Sequence, residues 1–353
     1  MTELSHELAR AGAMLDLKRY DQAASLLARL VAAEPDSGRT WCLLARAHLG
    51  TGQYKEAATA ANRAVALAPS DEWPHRLASN ALMHAENYPE ALRAANEACR
   101  LAPDRWQTHV CVAQAALAAR MLDVAVQATM TARAIAPNEP DVHFLSGKVS
   151  LARGDLAAAR EHQERTLALD PAHSGAMNEL GRIKLRAQDA MGAIRHFIRA
   201  ARSAPGEKVY SHNVDVVILR TLTRMLYLIS LIAVVFIFVP AAADLARFSF
   251  ATTLPVAGCL LAALCAWLVL RMPAEARRLL WRALHRRRVA AAVAVAIGGI
   301  AAAFTTLGLT PANLVSPMVL VAVVLIMGSR LLAFAILRGV ARKPPGQILR
   351  PGR

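Results

Sequence analysis

The chain has 353 residues, of which 55% are hydrophobic, and it carries a formal net charge of +15. This apolar content excludes a disordered protein, and the mean hydropathy of +0.31 favours a chain with one soluble and one membrane part. Five cysteines without a Cys-x-x-Cys pair favour neither a disulfide framework nor a thiolate zinc site, which is typical of a reducing compartment.

The positive charge is concentrated in the C-terminal part of the chain. Residues 1–206 carry 24 Lys and Arg against 22 Asp and Glu, whereas residues 207–353 carry 17 against 4. The second part also contains the long apolar runs, so its arginines are predicted to flank membrane spans. We therefore expect no nucleic-acid binding, which a pI near 10.5 would otherwise suggest.

A constant sequence period organises the first part of the chain. Six evenly spaced prolines define it, at Pro35, Pro69, Pro103, Pro137, Pro171 and Pro205. Each comes after a run of helix-forming residues, such as residues 64–68, and proline cannot continue a helix. Six units of helix, turn, helix and stop predict an all-α helical solenoid in residues 1–206.

The best-defined unit resembles the tetratricopeptide repeat, whose period is about 34 residues. The six prolines are spaced at the same interval. The family pattern falls on seven positions of the unit, namely Trp41, Leu44, Ala45, His48, Ala57, Ala61 and Pro69. Only His48 and Ala61 depart from the pattern in residue type, whereas the first unit, about residues 4–35, is degraded. The resemblance covers residues 4–205 and implies six repeats whose helices cross closely at Ala or Gly.

In this family one face of each first helix lines a concave groove that binds peptides. The ninth position of the repeats lies on this face and is polar in five of six copies and cationic in three. The predicted groove residues are Arg46, Arg76, Asn80, Gln114, Lys148, Asn178 and Arg182. Their chemistry predicts a protein or peptide partner of acidic character. The alternative is that they are only the solvated faces of amphipathic helices.

Histidine recurs at the fourth position of three repeats, as His75, His109 and His143. Adjacent repeats space equivalent positions by about 8–10 Å, whereas a zinc ion needs ligand nitrogens about 2 Å away. The three histidines are therefore predicted to pack at the family's tryptophan position. The sequence contains none of the common catalytic or phosphate-binding motifs, so we predict no cofactor, no metal and no enzymatic activity.

Four apolar runs after the repeats predict a four-helix transmembrane bundle. Their approximate bounds are residues 225–243, 248–270, 289–309 and 314–337. Each has about the 20 residues needed to cross a hydrocarbon core of ~30 Å. The predicted domains are the solenoid, a linker or capping segment, the membrane domain and a basic tail, at residues 1–206, 207–224, 225–343 and 344–353.

Basic residues alternate between the two sides of the predicted spans. The loop between the second and third spans holds seven arginines, whereas residues 310–313 carry no charge. This alternation places both termini and the repeats on the cytoplasmic side of a bacterial inner membrane. The polar and acidic start of the chain is not expected to act as a signal peptide.

Two further features of the membrane part concern lipid and assembly. Residues 274–288 favour a basic amphipathic helix on anionic lipid, although a plain topology signal explains them equally well. The residues predicted to contact the membrane surface are Arg277, Arg278, Trp281, Arg282 and Arg286. In the third span, small residues recur at every fourth position from Ala290 to Thr306, which favours close packing in a bundle or a homo-oligomer.

These features predict a membrane-anchored scaffold that recruits a protein partner to the cytoplasmic face of the membrane through its groove. One alternative is an accessory subunit of a membrane transporter or membrane enzyme whose catalytic chain is separate. Another is an adaptor whose spans only localise it. The predicted spans contain no Asp or Glu, so the sequence does not predict a proton relay within the chain itself.

Overall fold

The computed structural model of the chain describes residues 3–207, 209–217 and 220. The chain divides into two compact units, residues 1–176 and 177–353. The predicted membrane domain with its four spans lies outside the described residues, at 225–343. The predicted basic tail at 344–353 also lies outside them. Within the described part, no helix combines the length and the apolar content that crossing a membrane requires.

Twelve α-helices lie within residues 3–207. They are α1 (Glu3–Asp16), α2 (Tyr20–Ala33), α3 (Gly38–Thr51), α4 (Tyr54–Leu67), α5 (Glu72–His84), α6 (Tyr88–Leu101), α7 (Trp106–Ala118), α8 (Leu122–Ile135), α9 (Pro140–Arg153), α10 (Leu156–Leu169), α11 (Ser174–Arg186) and α12 (Ala190–Ser203). From α4 onward, every helix starts 34 residues after the corresponding helix of the preceding repeat, which is also the interval between the six prolines. The predicted all-α solenoid of helix pairs is confirmed.

Stacking in the first unit follows two kinds of contact. Each helix packs on the next one along the chain, and the first helices of neighbouring repeats also pack on one another, as in α3 on α5 and α5 on α7. Because each first helix contacts the first helix of the next repeat, side chains on their shared face line one continuous surface.

In all six repeats, the second helix has a completely buried alanine at one shared position. These alanines occupy the same position of each repeat and are each 0% exposed: Ala23, Ala57, Ala91, Ala125, Ala159 and Ala193. A small side chain at such a position allows neighbouring backbones to approach closely. All six alanines are thus buried, as the predicted role of small residues at helix crossings requires.

Two glycines of the first helices leave room for a large residue of the second helix. A Cβ added to Gly181 would lie 2.6 Å from Cε1 of Phe197, and one added to Gly147 would overlap the side-chain amide of Gln163. Phe197 and Gln163 are both 0% exposed. At the equivalent positions the second repeat carries Ala45 on its first helix and Ala61 on its second. Glycine in place of alanine on the first helix is thus accompanied by a residue larger than alanine on the second.

In four repeats, a ring nitrogen on the first helix forms a hydrogen bond to the backbone carbonyl of the proline that precedes that helix. The indole N–H of Trp41 donates to the Pro35 carbonyl at 2.7 Å. At the same repeat position, Nε2 of His75, His109 and His143 lies 3.0, 2.8 and 2.8 Å from the carbonyl oxygens of Pro69, Pro103 and Pro137, respectively. A carbonyl only accepts, so Nε2 carries the proton in each histidine. The three histidines thus hold the family's tryptophan position and make the same contact.

A helix at residues 209–217 follows the last complete repeat. Its Val214 and Val217 are each 2% exposed and pack in a cluster with Phe197. They lie one period beyond Leu180 and Ile183, which are also buried. This helix lies within the segment predicted from the sequence as a linker or cap, residues 207–224, and it packs as the first helix of a seventh repeat would.

The contact between Gly181 and Phe197 gives a test of this packing. We expect Gly181→Ala to lower the free energy of unfolding by about 1–3 kcal/mol, because the added methyl group overpacks a fully buried ring. The matched control is Gly12→Ala, since nothing lies within 4 Å of the Cβ position at Gly12. This control should be neutral or stabilising by up to about 1 kcal/mol. Thermal unfolding followed by circular dichroism compares the two variants with the wild-type protein. A melting temperature of Gly181→Ala equal to that of Gly12→Ala would contradict the packing.

Candidate partner-binding groove

Two adjoining hollows lie along the first helices of the first unit. The smaller, of about 220 Å³, lies between α5 and α7 and includes Trp106 and Gln114 in its lining. The larger, of about 680 Å³, includes Tyr20 and Arg46. The two hollows share four residues, Trp73, Arg76, Leu77 and Asn80. Because of this shared wall they form one surface, which we call the Trp73 groove.

Four of the seven predicted groove residues are brought together here. Arg46 lines the larger hollow, Gln114 lines the smaller, and Arg76 and Asn80 line both. Lys148 lines neither of these hollows, and its Nζ lies 5.5 Å from the centroid of the Phe144 ring, at the distance of a cation–π contact. The groove of the first unit is therefore built chiefly by α3, α5 and α7.

The remaining two predicted residues lie in the second unit. Asn178 is 8% exposed, and its Oδ1 accepts a hydrogen bond of 2.7 Å from Asn213 in the helix at 209–217. Arg182 Nη1 lies 2.8 Å from an oxygen of the buried Glu179. Both side chains are thus engaged within their own unit, and burial of Asn178 leaves little of it for a partner.

The groove arginines of the first unit also have carboxylate partners. Arg46 Nη2 lies 2.8 Å from Asp16 Oδ1, and Arg76 Nη1 lies 3.2 Å from Glu72 Oε2. Glu72 is buried and accepts a second contact, of 2.9 Å, from Arg105 Nη1. The sequence-based prediction of cationic groove residues did not include these carboxylates. Since they compensate the arginines, the groove is less attractive to an acidic ligand than the arginines alone suggest.

Aromatic rings form a larger part of the groove than the sequence suggested. Trp73 and Trp106 line the smaller hollow, and Tyr20 and Tyr54 line the larger. The ring of Tyr54 stacks on that of His84, with centroids 4.9 Å apart and planes inclined by 17°. The signal in the sequence was the pair of tryptophans at the start of two successive first helices.

Uncharged polar groups complete the smaller hollow. Asn80, Gln107 and Gln114 contribute side-chain amides, which both donate and accept hydrogen bonds. Burial raises the pKa of Cys111 to about 11, so this residue lines the hollow as a neutral thiol. The arrangement can hold an apolar side chain between rings while the amides bond to a peptide main chain.

The described residues include no group of three or more His, Cys, Asp or Glu side chains that could hold a metal ion. The residues predicted to contact the membrane surface, Arg277, Arg278, Trp281, Arg282 and Arg286, lie outside the described part of the chain.

Comparison with known proteins identifies the repeats. Residues 14–80 and 144–208 each match a sequence profile of the tetratricopeptide repeat. A tetratricopeptide repeat protein from Parabacteroides merdae ATCC 43184 is 11% identical, with a TM-score of 0.56 over 61% of this chain and 84% of that chain. The type IV pilus biogenesis factor PilW is 12% identical, with a TM-score of 0.50 over 62% of this chain and 100% of that chain.

A third solved structure, the APC/C hetero-tetramer Cut9–Hcn1, has 16% identity and a TM-score of 0.51. The match covers 60% of this chain and 42% of that chain, so this chain spans less than half of the length of that relative. A search of curated protein sequences finds no match.

The fold and these similarities define the described part as an all-α helical solenoid. The repeats that the profiles match, at residues 14–80 and 144–208, are tetratricopeptide repeats, in agreement with the resemblance found in the sequence. At 11–16% identity the solved structures establish the fold alone.

Proposed function

We propose that the protein is a membrane-anchored tetratricopeptide-repeat scaffold that recruits a protein partner through the Trp73 groove. The observation that carries the proposal is the smaller hollow, in which Trp73 and Trp106 lie beside the amides of Asn80 and Gln114. Tryptophan is enriched among residues that dominate binding energies, and tetratricopeptide repeats bind protein or peptide partners. The described residues contain no arrangement that favours catalysis over binding.

The size of the smaller hollow favours a side chain of a protein over a free small molecule. Its volume of about 220 Å³ is below the range of roughly 300–1,000 Å³ typical of small-molecule sites, and it shares a wall with the larger hollow of about 680 Å³, so that one extended segment can occupy both. We therefore propose that an extended segment of the partner inserts a large apolar side chain between the two indoles. Because Arg46 and Arg76 already have carboxylate partners, this segment needs no acidic residues.

The membrane anchor rests on the sequence of the C-terminal part. Four apolar runs of suitable length, with arginines on alternating sides, support four spans with the repeats on the cytoplasmic side of a bacterial inner membrane. A scaffold of this kind would concentrate its partner at the membrane. Loss of residues 225–353, which keeps the buried Val214 and Val217, should then release the solenoid from the membrane without removing the Trp73 groove.

Removal of the two indoles tests the groove. We expect Trp73→Ala with Trp106→Ala to reduce capture of the partner by cross-linking from intact membranes at least ten-fold, because a loss of about 1.4 kcal/mol already has this effect. The matched aromatic control is Tyr88→Ala, since Tyr88 lines neither hollow of the groove. It should leave capture unchanged.

The same variants separate a binding defect from a folding defect. Circular dichroism should show the wild-type helix content in the double variant, because Trp73 and Trp106 are only partly buried. Normal helix content together with normal capture would contradict the groove proposal. Capture should also persist at high salt, since apolar contacts are not screened as exposed ion pairs are.

The orientation of the anchor has its own test. A reporter that is active only outside the cytoplasm should work when fused near Asn313 and fail when fused near Arg282 or after Arg353, because arginines mark the cytoplasmic side. Reporter activity in intact cells measures this. An active fusion after Arg353 would mean an odd number of spans and would contradict the orientation.

A further inference from the structure

The exposed side of α12, the last complete second helix, consists almost entirely of arginine. The exposed residues of this helix are Arg195, Arg199, Arg202 and Ser203. The three arginines are spaced by four and by three residues, which places them on one side of an α-helix. The other side of the helix is packed in the core, where Phe197 is 0% exposed. We call the three arginines the α12 face.

The other second helices provide an internal comparison for this face. Each of them contains at least one carboxylate, namely Asp21 in α2, Glu56 in α4, Glu90 and Glu97 in α6, Asp123 in α8, and Glu161 and Glu164 in α10. The sequence of α12 contains none. With three arginines and no acid, α12 has a net charge of +3, whereas the net charge of the other five is 0 or +1. The excess of positive charge is therefore a property of the sixth repeat and not of second helices in general.

The ionisable residues that flank the α12 face do not balance its charge. Asp189, just before the helix, accepts a hydrogen bond of 2.7 Å from the backbone N–H of Gly192 and lies 3.4 Å from Nζ of Lys184. Glu207 lies beyond the other end of the helix, and one carboxylate cannot balance three guanidinium groups. Burial and the charge of Arg199 lower the pKa of His196, so this residue is neutral at pH 7. The face therefore attracts anions.

The position of α12 in the chain points to the source of the anion. Only residues 204–224 separate α12 from the first predicted membrane span, so α12 is the second helix nearest to it in sequence. This connecting segment carries three basic residues and two acidic ones, and it includes the helix at residues 209–217. Basic residues close to the cytoplasmic end of a span are attracted to the anionic lipids of that leaflet.

We propose that the α12 face binds the headgroups of anionic phospholipids in the membrane that anchors the chain. This inference rests on the proposed membrane anchor. Because the anchor already holds the repeats at the membrane, the contact is intramolecular, and three arginines need little intrinsic affinity. Guanidinium groups suit phosphate, since each donates two parallel hydrogen bonds to it. The apolar side of α12 is packed in the core, so the face lies on the headgroups and does not insert into the hydrocarbon.

The charge of the rest of the repeats favours a lipid surface over a nucleic acid. A nucleic-acid-binding domain has a strongly basic surface, with a pI above about 9. Residues 1–206 instead carry 24 basic residues against 22 acidic ones, so the α12 face is a local feature of a nearly neutral solenoid. A small basic face next to a membrane anchor is suited to lipid headgroups.

Footprinting of arginines in lipid nanodiscs tests the contact. The full chain is incorporated into nanodiscs of phosphatidylcholine alone or of phosphatidylcholine with about one third phosphatidylglycerol, treated with phenylglyoxal and analysed by mass spectrometry. The three arginines of the α12 face should be modified about five-fold less in the anionic nanodiscs, because headgroup phosphates cover them. Arg29 and Arg63, which are exposed on α2 and α4, should be modified equally in both. High salt should remove the protection.

Loss of charge from the face provides the second arm. In the full chain with Arg195→Gln and Arg199→Gln, the remaining Arg202 should lose most of its protection by anionic lipid, because a single arginine is held more weakly than three. The matched control, Arg29→Gln with Arg63→Gln, removes the same charge elsewhere and should leave Arg202 protected. All four positions are exposed, so circular dichroism should show the wild-type helix content in both variants.

The outcomes separate this proposal from the membrane anchor. Equal modification of the α12 face in the two kinds of nanodisc would overturn the proposal and leave the anchor intact. A chain that does not co-purify with nanodiscs at all would contradict the anchor and the proposal together. Protection by an added DNA duplex in neutral nanodiscs, without protection by anionic lipid, would assign the face to nucleic acid and would also overturn the proposal.

Discussion

Close approach of helices at small residues is the constraint on which the rest of this structure depends. An alanine without solvent exposure recurs at the same position in the second helix of all six repeats. Where the first helix carries glycine instead of alanine or serine, as at Gly147 and Gly181, the second helix supplies the larger Gln163 or Phe197. Helix spacing is thereby maintained while the residues that set it vary.

The groove is a consequence of that spacing. Because α3, α5 and α7 pack side by side, residues far apart in sequence come to line one surface. The indoles of Trp73 and Trp106 lie in a single hollow only because two successive first helices are in contact. The same proximity lets Arg105, just before α7, reach the buried carboxylate of Glu72 on α5. The close packing of the first helices thus brings the two indoles into one hollow and also places Arg105 beside the carboxylate of Glu72.

The sequence predicted the parts of the fold that repeat. The proline register led to the helix pairs, and the ninth repeat position led to Arg46, Asn80 and Gln114 in the groove. It could not predict side-chain partners such as Asp16 for Arg46, since these depend on reach between helices and have no counterpart in other repeats. The sequence predicted a linker or capping segment at residues 207–224 and could not show that residues 209–217 pack like a first helix, because no proline stands one period after Pro205.

The central claim is that a partner protein occupies the Trp73 groove, and side-chain footprinting of the full chain tests it most directly. The protein is exposed to hydroxyl radicals with and without its cross-linked partner, and oxidation of individual side chains is measured by mass spectrometry. The account predicts that Trp73 and Trp106 are oxidised several-fold less in the complex, while Tyr88 is unchanged. Equal oxidation of both tryptophans with and without the partner would contradict it.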